Sequence, residues 1–140
     1  MRINLIVVNW PHLASIMSIS FYHHKTHSDS ILIRDFFHEV GVSDIIESWD
    51  FLLQNNLLTG SVEGVINNLS GCVLNMNMDS FKVLIDYLKS HEILKKIKLA
   101  VVSTNPQVIV FPALGEIEEK ELKIKPFSSI NAAADWIIKG

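Results

Sequence analysis

The chain has few cysteines, glycines and prolines, the residues that cross-link small folds or mark linkers between domains. Its 140 residues include one cysteine, Cys72, with six glycines and four prolines. A single cysteine cannot form an internal disulfide, which fits a reducing compartment, so we expect a cytoplasmic protein. No glycine- or proline-rich linker and no low-complexity tract interrupts the sequence. A chain of this length is therefore expected to fold as one domain around a hydrophobic core.

Charge is also scarce, and neither sign dominates. Charged residues make up 19% of the chain against 49% hydrophobic residues, and the formal net charge is −3. The basic residues are scattered apart from a short run at 94–98, so no surface is prepared for nucleic-acid phosphates. No apolar run approaches the ~20 residues of a membrane-spanning helix, which predicts a chain without a transmembrane segment.

The first residues, MRINLIVVNWPHLASIM, combine an early arginine with a short apolar run. An export signal would continue that run to a cleavage site of small residues, whereas Asn9, Pro11 and His12 interrupt it. We therefore expect residues 1–17 to be an N-terminal extension, either an extra strand or a docking arm. The domain itself is expected over residues 18–140.

Strand signals recur along the rest of the chain. Residues 18–24 and 31–40 are rich in β-branched and aromatic residues, and the polar loop between them predicts an antiparallel hairpin. Further strands are predicted at 62–69, 97–103 and 122–127. The fourth of these strands, 97–103, is apolar on both faces, as is typical of a strand covered on both sides, and we predict residues 98–102 at the centre of the sheet.

Helical spacing of apolar residues separates these strands. One helix is predicted after a cap at Ser43, and a second has its apolar stripe from Phe81 to Leu88. A third closes the chain at 128–140, with an apolar stripe of Ile130, Ala133, Ala134 and Ile137. Residues 104–120 mix strand and helix signals, and we predict a helix there because Pro106 suits a first turn. The alternation predicts an α/β fold with a single four- or five-stranded mixed sheet, mostly parallel after the N-terminal antiparallel hairpin, and helices packed on it.

Three stretches of this sequence resemble one family. They are GVSDIIESWDFLL at 41–53, IKLAVVSTNPQVIVFPALGE at 97–116 and KPFSSINAAADWI at 125–137. These stretches resemble the STAS-like superfamily of anti-sigma-factor antagonists, specifically the small bacterial SpoIIAA-like group, whose fold is shared with CRAL-TRIO lipid-binding domains. By element order the resemblance covers residues 19–139 and leaves the N-terminal extension outside.

The resemblance implies a SpoIIAA-like fold and a non-catalytic regulatory or protein-interaction module. The alternative that it leaves open is a carrier or sensor of a small apolar ligand such as a lipid. The expected partner is therefore another protein or a small apolar ligand, and association between copies of the chain is left open. Trp49 and Trp136 are expected to pack their helices rather than to stack on a ligand.

The stretch NMDSF at 77–81 is the one place where the resemblance implies a modified residue. In the antagonists a serine at the start of the helix after a strand accepts phosphate, commonly in an Asp-Ser-x-Gly setting, which implies Ser80 as the acceptor here. Phe81 and Lys82 follow Ser80 instead, and the next glycine after them is Gly115. Aspartate and serine are also favoured at any helix start. We predict Asp79 as the N-cap and Ser80 as the first helical residue, with phosphorylation of Ser80 as the alternative.

Motifs for a reaction or a metal are missing. The sequence has no G-x-S-x-G, P-loop or H-E-x-x-H motif, so no catalytic residue, no cofactor and no enzymatic activity is predicted. His23 and His24 would point to opposite faces of a strand, and no cysteine or carboxylate stands at ligand spacing from them or from His27, so no metal site is predicted. Cys72 lies in an apolar segment where thiols are usually inert.

Overall fold

The computed structural model describes residues 19–140, which form a five-stranded mixed sheet with helices on both faces. The strands are β1 Ile19–His23, β2 Ile31–Gly41, β3 Gly64–Asn75, β4 Lys98–Val102 and β5 Lys123–Phe127. They lie side by side in chain order, with β1 antiparallel to β2 and all later neighbours parallel. The predicted α/β class and mixed sheet are confirmed, and β4 is an interior strand although β3 is the middle one. The predicted extension over residues 1–17 lies outside the described residues.

Five helices connect or cover these strands. They are α1 Val42–Gln54, α2 Met78–Lys89, α3 Glu92–Lys96, α4 Pro106–Glu118 and α5 Ile130–Lys139. Helix α4 confirms the prediction for residues 104–120. It begins where the Asn105 side chain accepts the N–H of Gln107 at 3.0 Å, and Pro106, which has no N–H to satisfy, occupies the first turn.

Helix α1 begins earlier than predicted. Ser43 is not its cap, because β2 runs directly into the helix through Gly41 without a loop. The carboxylate of Asp44 accepts the N–H of Gly41 at 2.9 Å, so a residue in the first turn satisfies the entering chain.

Asp79 as the cap of α2 is also wrong. Asn77 is the N-cap: its Oδ1 accepts the N–H of Ser80 at 2.8 Å, and the Ser80 Oγ accepts the N–H of Asn77 at 2.9 Å. This reciprocal pair satisfies two backbone donors at once, and it requires a spacing of three residues that Asn77 and Ser80 provide. Met78 is therefore the first helical residue, and Asp79 is exposed in the first turn.

Alternating side chains give the sheet two buried faces. The first face carries Leu32, Arg34 and Phe36 of β2 beneath α1, α2 and α4, which contribute Leu52, Ile85 and Val108, among others, to the same core. The second face is covered by α5, whose predicted stripe is confirmed. Ala133, Ala134 and Ile137 pack there on residues that include Ile66, Ala100 and Val102.

Gly64 lets α5 approach the second face closely. A Cβ atom at this position would lie 2.8 Å from atoms of the Ile137 side chain, a distance at which atoms overlap. The start of β3 therefore requires a residue without a side chain beneath α5.

Strands β2 and β3 continue past the rest of the sheet. Pairing of β3 with β4 ends at Asn68 and Val102, whereas pairing with β2 continues to Gly41 and Asn75 after an irregularity between Asp35 and Phe37. We call the projecting part, residues 37–41 and 71–75, the ribbon. Its outer surface leaves Phe37 39% and Val73 60% exposed. The predicted third strand at 62–69 was too short, because Ser70 and Gly71 do not end it.

Candidate ligand-binding cavity

A small cavity lies between the first face of the sheet and the helices above it. Its volume is about 70 Å³, and its walls come from strands β2 to β5 and from α1, α2 and α4. Of the described residues that line it, only Arg34 and Asn67 carry polar side chains. One water molecule needs roughly 10–15 Å³ by the same measure, so the space accommodates only a few water-sized groups.

Arg34 lines this cavity, although its neighbours on the inward face of the strand are apolar. The period of β2 places it between Leu32 and Phe36 on the face beneath the helices, and only 1% of its surface is exposed. A charged side chain buried to this degree normally has an opposite charge beside it.

The guanidinium is held by neutral partners. Its Nε donates to Asn67 Oδ1 and its Nη1 donates to Ser48 Oγ, both at 2.8 Å. Asn67 is the register partner of Arg34 on β3, and its own amide donates to Ala100 O at 2.9 Å, which fixes the direction of its oxygen. Ser48 comes from α1, from the same stripe as Trp49.

Two aromatic rings adjoin the guanidinium. Its Cζ atom is 3.8 Å from the centroid of Trp49 and 4.9 Å from that of Phe36. These are favourable cation–π contacts.

Within residues 19–140, no carboxylate lies within ion-pair distance of Arg34. Burial lowers the pKa of the guanidinium to about 9, because the charged form has lost its water. Tyr87 on α2 lies close enough to Arg34 to interact with it electrostatically, and its hydroxyl donates a hydrogen bond to Asp50 on α1. Burial, followed by that hydrogen bond and the charge of Asp50, raises the pKa of Tyr87.

The predicted phosphate acceptor lies near the cavity but does not line it. Met76 and Phe81 on either side of the α2 start are lining residues, whereas Ser80 between them is not. The Ser80 hydroxyl donates to Asn77 O at 3.2 Å while accepting from the Asn77 N–H. Its described contacts are those of a cap, and phosphorylation of Ser80 stays a prediction.

Two histidines of the β1–β2 hairpin lie together, because the rings of His24 and His27 stack with centroids 5.3 Å apart. His24 Nδ1 accepts the N–H groups of Thr26 and His27, each at 3.1 Å, and thereby shapes the loop. Burial and the charges of His27 and Lys25 lower the pKa of His24. The Nδ1 atom of His23 is buried without a hydrogen-bond partner in the described part of the chain. Over residues 19–140 no group of three or more metal-ligating side chains comes together.

The two tryptophans that were expected to pack helices are both in packed positions. Trp49 is 2% exposed, and Trp136 packs on Phe127 with ring centroids 5.5 Å apart. Trp49 also forms part of the cavity wall, a position that its helical spacing alone did not indicate.

Sequence reasoning missed Arg34, Ser48 and Asn67. One signal was available for Arg34, because ILIRDFF places an arginine between Leu32 and Phe36, on a face of the strand that is otherwise apolar in this stretch. Ser48 likewise interrupts the apolar stripe of its helix. Neither signal identifies its partner, since Arg34 and Asn67 are 33 residues apart.

Comparison with known proteins gives a fold. No protein-family model and no curated protein sequence matches the chain. Among solved structures, an uncharacterized protein of the DUF3478 family from Shewanella loihica, described as having a SpoIIAA-like fold, superposes with a TM-score of 0.56. The match covers 86% of this chain and 92% of that one, at 14% sequence identity.

The fold is SpoIIAA-like. The predicted resemblance is thereby confirmed at the level of architecture, which is as far as a likeness at 14% identity extends. In this SpoIIAA-like domain, no helix of residues 19–140 has both the length and the apolar character needed to cross a membrane.

Proposed function

We propose that this SpoIIAA-like protein is a non-catalytic regulatory module that senses a small ligand with an apolar body, bound in the cavity between the sheet and α1, α2 and α4. The cavity carries this proposal. At roughly 24 cal/mol per Å³, a cavity of about 70 Å³ would lower stability by on the order of 2 kcal/mol if no group filled it. A ligand of matching shape recovers that loss by binding.

The size of the cavity limits the ligand. Pockets for drug-sized molecules measure ~300–1,000 Å³, several times the space available here. Carriage of a whole lipid would require the helices to separate from the sheet. The geometry therefore supports a molecule of a few non-hydrogen atoms better than it supports a lipid.

The lining residues support binding rather than a reaction. Among those described, none is an aspartate, glutamate, histidine, cysteine, serine or lysine, so the wall offers no nucleophile and no general base. Arg34 is charged at neutral pH and only donates hydrogen bonds.

Native mass spectrometry tests the proposal. Protein purified from its own cells is expected to carry a small co-purifying mass, and the Leu84→Phe variant is expected to lose it because Leu84 lines the cavity. Val83→Phe is the matched control, since Val83 is the adjacent residue and is 55% exposed. Equal retention by wild type and Leu84→Phe would place the ligand elsewhere, and a ligand-free wild type that also binds no small probe would end the proposal.

The ribbon favours a second candidate function, the binding of a partner protein. Phe37 lies over Gly71, and Val73 is exposed two residues further along the same surface. Apolar side chains exposed together on a projecting strand pair are typical of an interaction surface.

A photo-crosslinking amino acid distinguishes binding of a partner protein at the ribbon from binding of a small ligand in the cavity. Placed at position 73 and activated in the native cells, it is expected to yield one discrete adduct that is absent when the same group replaces Val83. The Val73→Lys substitution should also abolish co-purification of the partner protein that the adduct identifies. Adducts of equal yield from positions 73 and 83 would argue against a partner at the ribbon.

A further inference from the structure

We propose that the ligand of the cavity bears a carboxylate, which pairs with the buried guanidinium of Arg34. This inference rests on the proposed function and adds the chemical class of the ligand to it. The expected ligand is a small free monocarboxylic acid with a short apolar chain.

The unbalanced charge of Arg34 is the first argument. Removing a guanidinium from water is unfavourable by several kcal/mol unless an anion replaces the lost solvation. Asn67 and Ser48 supply dipoles but no charge, and the described residues supply no acid at ion-pair distance. A bound carboxylate would provide the missing charge in a low-dielectric site, where the interaction is stronger than in water.

The free donors of Arg34 are the second argument. A guanidinium has five N–H groups, and two of them are used, one by Asn67 and one by Ser48. Nη2 makes no hydrogen bond within residues 19–140. The remaining N–H groups on Nη1 and Nη2 are the donors from which the oxygens of a carboxylate would accept hydrogen bonds.

The wall favours a carboxylate over other anions. A phosphate dianion carries more charge and more acceptor oxygens than one guanidinium edge satisfies, and the described wall has no second cation. A monocarboxylate has one charge and two oxygens, and its chain would contact apolar residues such as Leu84, Ile85 and Phe111.

Straight-chain acids from propanoate to pentanoate, each paired with its primary amide, are suitable probes. Their binding to the whole wild-type chain can be followed by Trp49 fluorescence and by calorimetry, with Trp49→Phe as the control for the optical signal. Each acid that fits is expected to bind at least tenfold more tightly than its amide. Equal affinities would overturn the carboxylate inference and leave the proposed function standing, whereas no binding of either series would overturn both.

Substitution of Arg34 tests the assignment of the charge. Arg34→Gln should remove the advantage of each acid over its amide, because only the acid loses an ion pair, whereas Leu84→Phe should weaken both series and keep the ratio between them. Lys123→Gln, which removes an exposed charge outside the cavity, is the control and should change neither. If acids keep their advantage in Arg34→Gln, their carboxylates bind elsewhere and the inference is wrong. Should that variant fail to fold, the comparison of acid with amide in the wild type decides alone.

Discussion

Single residues differ in whether they serve stability or binding, and Arg34 shows the difference. Replacing it with methionine removes the unfavourable burial of a charge, but also orphans the oxygen of Asn67, which costs about 1–3 kcal/mol. These contributions have opposite signs and similar size. We expect Arg34→Met to change the free energy of unfolding by less than about 1 kcal/mol in urea denaturation. A loss of 3–5 kcal/mol, as when one member of a buried ion pair is removed, would show that an acid already balances Arg34.

The reactivity of Cys72 is also decided locally. Burial raises the pKa of its thiol from 9.0 to about 11, and its Sγ donates to Leu69 O at 3.4 Å. Two pH units correspond to about a hundredfold less thiolate, the form that reacts. We expect iodoacetamide near neutral pH to modify native Cys72 about a hundredfold more slowly than the unfolded chain, with the rate rising until the pH passes 11. Equal rates, followed by mass spectrometry, would contradict the raised pKa.

Helix α2 provides a test at the scale of one element. Asn77→Ala removes the side chain that accepts the Ser80 N–H and should cost about 1 kcal/mol of stability. Asp79→Ala removes only a charge near the positive end of the helix dipole and should cost a few tenths of a kcal/mol. Denaturation of both variants gives the ranking, and a larger loss for Asp79→Ala would restore the cap predicted from the sequence.

Helix α5 depends on Gly64 for its distance from the sheet. Gly64→Ala should destabilise the protein by about 1–3 kcal/mol, because the new methyl group overlaps the Ile137 side chain. Gly60→Ala is the control and should be nearly neutral, since no atom lies within 4 Å of its Cβ position. Combining Gly64→Ala with Ile137→Ala should cost less than the sum of the single changes, by at least about 0.5 kcal/mol. Strict additivity would contradict the overlap.

The sequence predicts elements better than it predicts their ends. The stripe of α5 and the apolar strand at 98–102 could be predicted because the spacing of hydrophobic residues depends only on residues close together in the sequence. The cap of α2 was misassigned because Asn77 and Asp79 both suit a helix start, and only the reciprocal bond with Ser80 distinguishes them. The cavity could not be predicted from the sequence, because its polar residues come from distant parts of the chain. The register of the sheet brings Arg34 beside Asn67, and the packing of α1 brings Ser48 to Arg34.

At the scale of the whole molecule, the crossover connections explain where the cavity lies. The connections from β2 to β3, from β3 to β4 and from β4 to β5 place α1, α2 and α4 on one face of the sheet. Three helices that meet over one face leave space where their side chains fall short of one another. The second face is covered by α5, which packs closely through Gly64 and small alanine side chains.

Strands that lie in chain order have a consequence for synthesis. When a strand leaves the ribosome, the strand that it pairs with has already been synthesised. For example, Arg34 precedes its partner Asn67 by 33 residues. Each new strand can therefore be added to the same edge of the sheet during translation. Helix α5 follows every strand, and Ile66, Ala100 and Val102 remain uncovered until it is made. We expect a chain that ends at Phe127 to recruit chaperones and to bind the dye ANS, whereas the chain through residue 140 does neither. A truncated chain that stays monomeric and binds no dye would show that the strands alone protect this surface.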